Sequence, residues 1–246
     1  MEAAQGSRRE RLREETLREI KETARRQLVT HGPAGIALRA IAREMGMTAP
    51  ALYRYYASLD QLIAALIADY YDEVVAAMES ARDVRPSGDL GGRLLAASRA
   101  FRLWSVDHPA EFGLIFGAPL PGFSVPPDSA PERAALRFSE VFQTLFVQIW
   151  VRQKLPVPQR GAINARLGKQ LTAFASAAGL PLPVPAIYVF LACWVRIYGA
   201  VAMEVFGHLR WALDDGSALF ETELRLLAEM LGIAGDYRPP TATRSR

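Results

Sequence analysis

The chain has 246 residues, of which 50% are hydrophobic and 22% are charged. This composition suits one large or two small globular domains. It excludes a disordered polyelectrolyte, a collagen-like repeat and a disulfide-stapled miniprotein. The formal net charge is +3, and residues 1–60 account for all of it, with 11 Lys+Arg against 8 Asp+Glu. A polyanion is therefore expected to dock on the first quarter of the chain.

The chain shows no sign of secretion or of a membrane anchor. Its single cysteine, Cys193, cannot form an intramolecular disulfide, and the first fifteen residues lack the apolar core of a signal peptide. The one membrane candidate, residues 184–203, carries Arg196, and a charge there costs roughly 3 kcal/mol on insertion scales. A helix in a core or subunit interface is the better interpretation, which favours a cytoplasmic protein without membrane contact.

The chain reads as helical almost throughout, with proline and glycine between the segments. Besides a short pair within 36–56, helices are predicted at 9–31, 58–81, 88–107, from Pro109, 132–153, 159–178, 186–209 and 217–231. Residues 117–131 contain five Pro and two Gly, too many for a regular element. The predicted fold class is all-α, with a disordered tail over 234–246.

Residues 36–62 carry the informative motif. Leu38, Ile41, Ala42 and Met45 follow an i, i+3, i+4, i+7 pattern and mark one buried face of a short helix, which Gly46 ends. Thr48 is placed to cap the next helix, and the stretch 58–61 (SLDQ) is a capping box for the one after. Two short helices joined by a tight glycine-containing turn form a helix-turn-helix. An ordinary helical hairpin is the alternative interpretation.

The second short helix favours the DNA-binding interpretation. Burying Leu52 and Tyr56 leaves small and tyrosine side chains outward, with no acidic residue among them. Small residues permit close approach to base edges, whereas tyrosine hydroxyls and arginine suit phosphates. The predicted DNA-binding residues are Arg39, Thr48, Ala49, Pro50, Ala51, Tyr53, Arg54 and Tyr55.

The chain resembles the tetracycline-repressor (TetR) family of transcriptional regulators in the segment LRAIAREMGMTAPALYRYYASLDQLIAAL. The resemblance covers about residues 15–67, and beyond residue 81 FGLIFGAPLPGF and WVRIYGAVAMEVFGHL are similar to one subgroup. It implies that residues 48–56 enter the major groove, with Tyr53 and Tyr55 on the backbone. It also implies a homodimer and a C-terminal ligand-sensing domain.

Two positions depart from the family pattern. Ala37 stands where many members have a capping Ser or Thr, and Leu59 stands where many have a Lys. Both changes remove a phosphate contact. Four arginines, Arg8, Arg9, Arg11 and Arg13, could compensate by reaching the minor groove as an arm. The neighbouring glutamates favour the alternative, a solvated helix start.

The predicted domains are a DNA-binding domain over 1–60 and a regulatory and dimerisation domain over 61–233. Aromatic side chains cluster in the second domain at mostly helical spacing, which suits a packed core but also a cavity between helices. Because little charge accompanies them, we expect an apolar or weakly polar effector. The predicted lining residues are Trp104, Phe112, Phe116, Trp150, Trp194 and Tyr198.

Catalytic and metal-binding patterns are missing from the sequence. His31, His108 and His208 lack metal-ligand spacing, and no nucleophile elbow, Walker loop or GxGxxG stretch occurs. Neither an enzyme, a metal nor another cofactor is predicted. Cys193, in an apolar helix, is expected to be a buried small residue rather than a redox sensor.

These observations predict a homodimeric repressor that a small molecule releases from its operator in double-stranded DNA. The helices at 186–209 and 217–231 are expected to form a four-helix dimer interface. Two alternatives remain open, a helical protein-interaction module and a small-molecule carrier without DNA binding.

Overall fold

The structure, a computed structural model, describes residues 2–240, and every regular element within that range is helical. The all-α prediction is confirmed. The α-helices are, in chain order, α1 (Glu2–His31), α2 (Leu38–Glu44), α3 (Ala49–Tyr53), α4 (Leu59–Asp83), α5 (Leu90–Asp107), α6 (Pro109–Phe116), α7 (Ala130–Gln153), α8 (Ala165–Ala177), α9 (Val184–Val205) and α10 (Ser217–Met230). Short 3-10 turns lie at Pro33–Gly35, Arg160–Ala162 and Ala234–Asp236.

Two helix starts differ from the prediction. Helix α1 begins at Glu2, because Glu, Ala and Gln at positions 2–5 are good helix formers. Arg8, Arg9, Arg11 and Arg13 therefore lie on a helix and not on an extended arm. Helix α8 begins at Ala165, since the Asn164 side chain accepts the Arg166 N–H at 2.8 Å and fixes the start there.

The chain forms two compact units. The first consists of Met1–Glu73 and His108–Leu136, and the second of Val74–Asp107 and Arg137–Arg246. The predicted functional division into 1–60 and 61–233 is a different partition and stays a prediction.

The first unit is built around the apolar stripe of α1. Ile20, Ala24 and Leu28 are fully buried, as their spacing predicts. Leu62 and Leu66 of α4 are buried in the same unit. The stripe fixes which side of α1 faces inward.

An ion-pair cluster around the buried Glu111 carboxylate joins three helices of this unit. Arg25 of α1 donates from Nε to Glu111 of α6 at 2.5 Å, and from Nη1 and Nη2 to Glu73 of α4 at 2.8 and 3.0 Å. Its guanidinium also lies 5.0 Å from the Tyr70 ring centroid. Burial alone lowers the pKa of Arg25, but the hydrogen bonds that it donates to Glu73 and Glu111 outweigh this effect and raise the pKa. The cation therefore stays charged at every physiological pH.

The second unit has an aromatic core. Rings of α5, α7 and α9 meet there, with Phe101 5.5 Å from Phe138 and 5.8 Å from Trp194. Edge-on and tilted contacts of this kind add to the apolar burial of each ring. Two bidentate pairs, Arg99 with Glu221 and Arg102 with Glu204, tie α5 to α10 and α9.

The start of the predicted tail is ordered. Ile233 is buried, and Tyr237 donates to a Glu221 carboxylate oxygen at 3.1 Å. Disorder was predicted from 234 onward, but within 234–238 the Tyr237 hydroxyl contacts α10 and the Arg238 carbonyl accepts from Arg99 of α5. Residues 241–246 lie outside the described residues.

We predict that Arg25→Met destabilises the protein, because it leaves the Glu111 carboxylate buried without its cation. The Glu111 side chain is only 4% exposed, whereas Arg25 is 30% exposed and partly screened by solvent. We expect the free energy of unfolding, measured by urea denaturation, to fall by roughly 2–3 kcal/mol.

The matched control is Arg18→Met on the same helix. Arg18 pairs with Glu22 at 3.0 Å across one turn, with both side chains largely exposed. Its loss should cost less than about 0.5 kcal/mol. Equal effects of the two substitutions would contradict a structural role of the cluster.

Candidate nucleic-acid interface

The start of α2 is held by a side chain from α1. Gln27, which is 7% exposed, accepts the Ala37 N–H through its Oε1 at 3.3 Å and donates to Glu44 at 3.4 Å. Arg26 donates to the same carboxylate at 2.9 Å. Gln27 thus contacts both ends of α2. No side-chain cap forms at Ala37.

The turn between α2 and α3 requires a glycine. Gly46 has φ +66°, in the left-handed region that a side chain disfavours. The Met47 N–H donates to Ala42 O at 2.8 Å, and the Gly46 N–H donates to Arg43 O at 3.2 Å. This is the Schellman pattern that ends a helix and sets the exit direction of the chain. The predicted helix stop at Gly46 is confirmed.

Helix α3 is shorter than the predicted rod of nine residues. It covers Ala49–Tyr53, and Thr48 takes the N-cap position with extended backbone but makes no side-chain cap bond. The prediction of a Thr48 side-chain cap is wrong. Pro50, the second helical residue, has no N–H, which removes one of the two donors that a cap could use.

Two buried side chains anchor the α3 segment. Leu52 is fully buried and Tyr56 is 9% exposed, as predicted. Burial raises the pKa of the Tyr56 hydroxyl to about 12, with a smaller contribution from Asp69, so Tyr56 is neutral. Because these anchors face inward, Tyr53 and Arg54 lie outside, with Tyr53 44% exposed.

The start of α4 follows the predicted capping box in one of its two bonds. The Gln61 N–H donates to Ser58 Oγ at 3.2 Å. The Gln61 side chain accepts the N–H of Ala57 at 3.0 Å, one residue before the expected partner. These two bonds fix the first residue of α4, and thereby the end of the segment that carries Tyr55 and Tyr56.

The structure places the predicted DNA-binding residues at the surface of the first unit. Arg39, Thr48, Pro50, Tyr53 and Arg54 are exposed, whereas Ala49, Ala51 and Tyr55 are half-buried. No Asp or Glu occurs between Thr48 and Ser58. The positioning residues Gln27 and Glu44 were not predicted, because their role depends on packing between separate helices and not on local spacing.

A small apolar cavity lies in the second unit, between α5, α7, α9 and α10. Its volume is ≈ 40 Å³. Leucine and aromatic side chains dominate the lining, and Ser98, Cys193 and Ile197 complete it. The Ser98 hydroxyl donates to Leu94 O at 2.9 Å. Burial raises the pKa of the Cys193 thiol to about 12, and Arg196 offsets this only in part.

The predicted pocket residues are divided between the two units. Trp194 lines the cavity, and the Tyr198 ring stacks on the Trp194 ring with the centroids 5.6 Å apart. Phe112 and Phe116 contact each other in the first unit. Trp104 is buried elsewhere, and Trp150 lies under Lys154. The lining residues that the sequence analysis missed include Leu94, Phe142, Phe146, Phe190, Ile197 and Leu224.

Among residues 2–240, no group of three or more His, Cys, Asp or Glu side chains could hold a metal ion. Within the same range, α9 is the one helix long and apolar enough to cross a membrane, and a third of that stretch is buried. Core helices of water-soluble proteins share this length and composition.

Two family models match the chain. Residues 20–66 match "Bacterial regulatory proteins, tetR family", and residues 94–227 match "Tetracyclin repressor-like, C-terminal domain". The HTH-type transcriptional regulator Rv1816 of Mycobacterium tuberculosis is 31% identical over 226 residues, covering 89% of this chain and 93% of that protein. Mb1846 of Mycobacterium bovis matches equally well.

Solved structures share the fold. The crystal structure of SCO4313, a protein described as regulatory, has a TM-score of 0.73 and 30% identity, covering 89% of this chain and 98% of that one. RolR in complex with resorcinol has a TM-score of 0.52 at 14% identity, covering 93% and 97%.

The relatives named here are regulators, so the prediction that the chain is not an enzyme is confirmed. The predicted family is confirmed as well. With an exposed α3 anchored by Leu52 and Tyr56, the chain belongs to the TetR family and is a DNA-binding transcriptional regulator.

Proposed function

We propose that this regulator is a cytoplasmic homodimeric repressor that leaves its operator when a small molecule binds. The observation that supports the DNA site is the outward side of α3, which Leu52 and Tyr56 hold in place from beneath. No carboxylate interrupts this surface between Thr48 and Ser58. The surface therefore suits a polyanion.

The residues of α3 divide into two roles. Ala49, Pro50 and Ala51 present small apolar groups at the first turn, which suits contact with thymine methyl groups in the major groove. Tyr53 and Arg54 are exposed at the other end, where a hydroxyl and a guanidinium suit phosphate oxygens. Thr48, Tyr55 and Arg39 complete the proposed contact surface.

The second unit supports a dimer through α9 and α10. Apolar side chains of α9 and of its C-cap residue Phe206 are exposed at helical spacing along one side, those of α9 being Tyr188, Leu191, Val195 and Met203. Leu219, Leu226 and Met230 of α10 are half-buried. A contiguous apolar surface of this kind marks an interaction site, and helices of two copies would bury it as a four-helix bundle.

A dimer gives the DNA site its spacing. A second copy related by two-fold symmetry presents a second α3, and two such helices read successive major grooves about 34–36 Å apart. The proposed operator is therefore a two-fold symmetric or nearly symmetric duplex.

The cavity supports an apolar effector. Ligand pockets usually measure about 300–1,000 Å³, whereas this one measures ≈ 40 Å³. A ligand must therefore separate the surrounding helices as it enters, which favours a different conformation of the second unit. A ligand that prefers this conformation shifts the population toward it, and the affinity for DNA falls if the new conformation misplaces α3.

We predict that Tyr53→Ala and Arg54→Ala each weaken operator binding about tenfold or more, while the helical content stays unchanged. Duplexes would be selected from a randomised pool with the unmodified protein, and dissociation constants then measured by fluorescence anisotropy. Arg85→Ala, which removes an exposed arginine of the second unit, is the matched control. Unchanged affinity in both α3 variants would contradict the proposed surface.

We predict that Val195→Glu converts the dimer into a monomer, because it places a charge at the centre of the apolar side of α9. Val195 is 60% exposed in the single chain, so the substitution should not disturb the fold of a monomer. Sedimentation velocity measures the molecular mass. Val84→Glu, at an exposed valine outside α9, is the control and should stay dimeric. A dimeric Val195→Glu protein would rule out this interface.

We predict that N-ethylmaleimide modifies native Cys193 at least about tenfold more slowly than the urea-unfolded chain. The thiol is buried and its raised pKa keeps it protonated near neutral pH. An effector seated in the cavity should slow the reaction further. The double variant Cys193→Ala/Thr172→Cys carries its thiol at an exposed site and should react at the unfolded rate. Fast native modification of Cys193 would contradict the burial of this thiol.

A further inference from the structure

A groove on the first unit lies between α1 and the residues that follow α3. Its lining consists of Arg9, Leu12, Arg13 and Thr16 from α1 and Arg54 and Tyr55, around a volume of ≈ 370 Å³. Three of these six side chains are guanidinium groups, and none is a carboxylate. The groove is therefore a concentrated patch of positive charge.

The arginines of the groove are not committed to ion pairs. In the part of the chain that the structure describes, Arg9, Arg13 and Arg54 have no carboxylate within 4.0 Å. Arg13 instead lies over the Tyr55 ring, with its Cζ 5.7 Å from the ring centroid. This cation–π contact holds both groups at the groove while leaving guanidinium N–H donors available.

Helix geometry separates the four N-terminal arginines into two classes. Arg9 and Arg13 are one turn apart and share the side of α1 that lines the groove. Arg11 falls on roughly the opposite side of the helix, and Arg8 lies about 100° away from Arg9. Glu14 lines a different groove, with Lys21 and Asp69. Glu14 is therefore not part of the groove, whose own lining contains no carboxylate.

We propose that this groove binds a backbone phosphate of the operator, with Arg9 and Arg13 as phosphate ligands beside Arg54. The proposal rests on the proposed DNA-binding function and adds α1 to the contact surface. Guanidinium groups bind phosphate oxygens through paired N–H donors, and Arg54 adjoins the outward side of α3. A phosphate here fixes the position of the protein along the duplex without reading its sequence.

The test compares two charge-matched double variants, Arg9→Ala/Arg13→Ala and Arg8→Ala/Arg11→Ala. Operator affinity is measured by fluorescence anisotropy at several salt concentrations. The first variant should bind about ten- to a hundredfold more weakly, with a salt slope smaller by about 1, because one phosphate contact is lost. The second should stay within about twofold of the unmodified protein, and Arg9→Lys/Arg13→Lys should recover part of the loss.

The sequence preference gives a second readout. Because a phosphate contact carries no base information, the groove variant should weaken binding to operator and unrelated duplex by the same factor. Equal losses of affinity in the two double variants, or no loss in the groove variant, would overturn the proposed phosphate site. Either result would leave the proposed DNA-binding function standing. An unmodified protein without salt-dependent duplex binding would overturn both. Circular dichroism of each variant identifies a folding defect. If the alanine variant of the groove is misfolded, the operator affinity of Arg9→Lys/Arg13→Lys tests the proposed site, and an affinity equal to that of the unmodified protein would overturn it.

Discussion

The buried carboxylate of Glu111 is the constraint on which the first unit depends. An ion of this kind is tolerated inside a protein only with a counter-charge and satisfied hydrogen bonds, and Arg25 supplies both at 2.5 Å. The same guanidinium holds Glu73 through two further bonds. One cation therefore fixes α1, α4 and α6 together. A movement of α1 away from α6 would leave the buried Glu111 carboxylate without its cation, which is costly.

This rigid unit explains how a five-residue helix can present a surface. Helix α3 is too short to be stable alone, and its position comes from Leu52 and Tyr56 beneath it and from the turn at Gly46 before it. Gln27 fixes α2 from the α1 side. Because Leu52 and Tyr56 face inward, the outward side chains of α3 are not needed to hold the helix in place. Their identity can therefore suit contact with DNA.

The sequence predicts what is local and misses what is distant. The stripe of α1, the stop at Gly46 and the anchors Leu52 and Tyr56 follow from periodicity and turn chemistry, and the structure confirms them. The Arg25 cluster joins residues up to 86 positions apart, so no local pattern contains it. The lining of the cavity was even harder to predict from the sequence. Aromatic spacing indicated a cluster, but only packing decides which rings line a void, and leucines of α5 and α10 turned out to supply much of the lining.

Helix α9 takes part in both proposed activities of the second unit. Its inner side carries Cys193 and Ile197 of the cavity lining, while Leu191 and Val195 are exposed on the side proposed to meet the second copy. The two pairs of residues lie on opposite sides of the same helix. A ligand that pushes the inner side outward must therefore displace the interface side by a similar amount. Since the dimer would set the spacing of the two α3 helices, a change inside the cavity would alter that spacing without any direct contact between ligand and DNA.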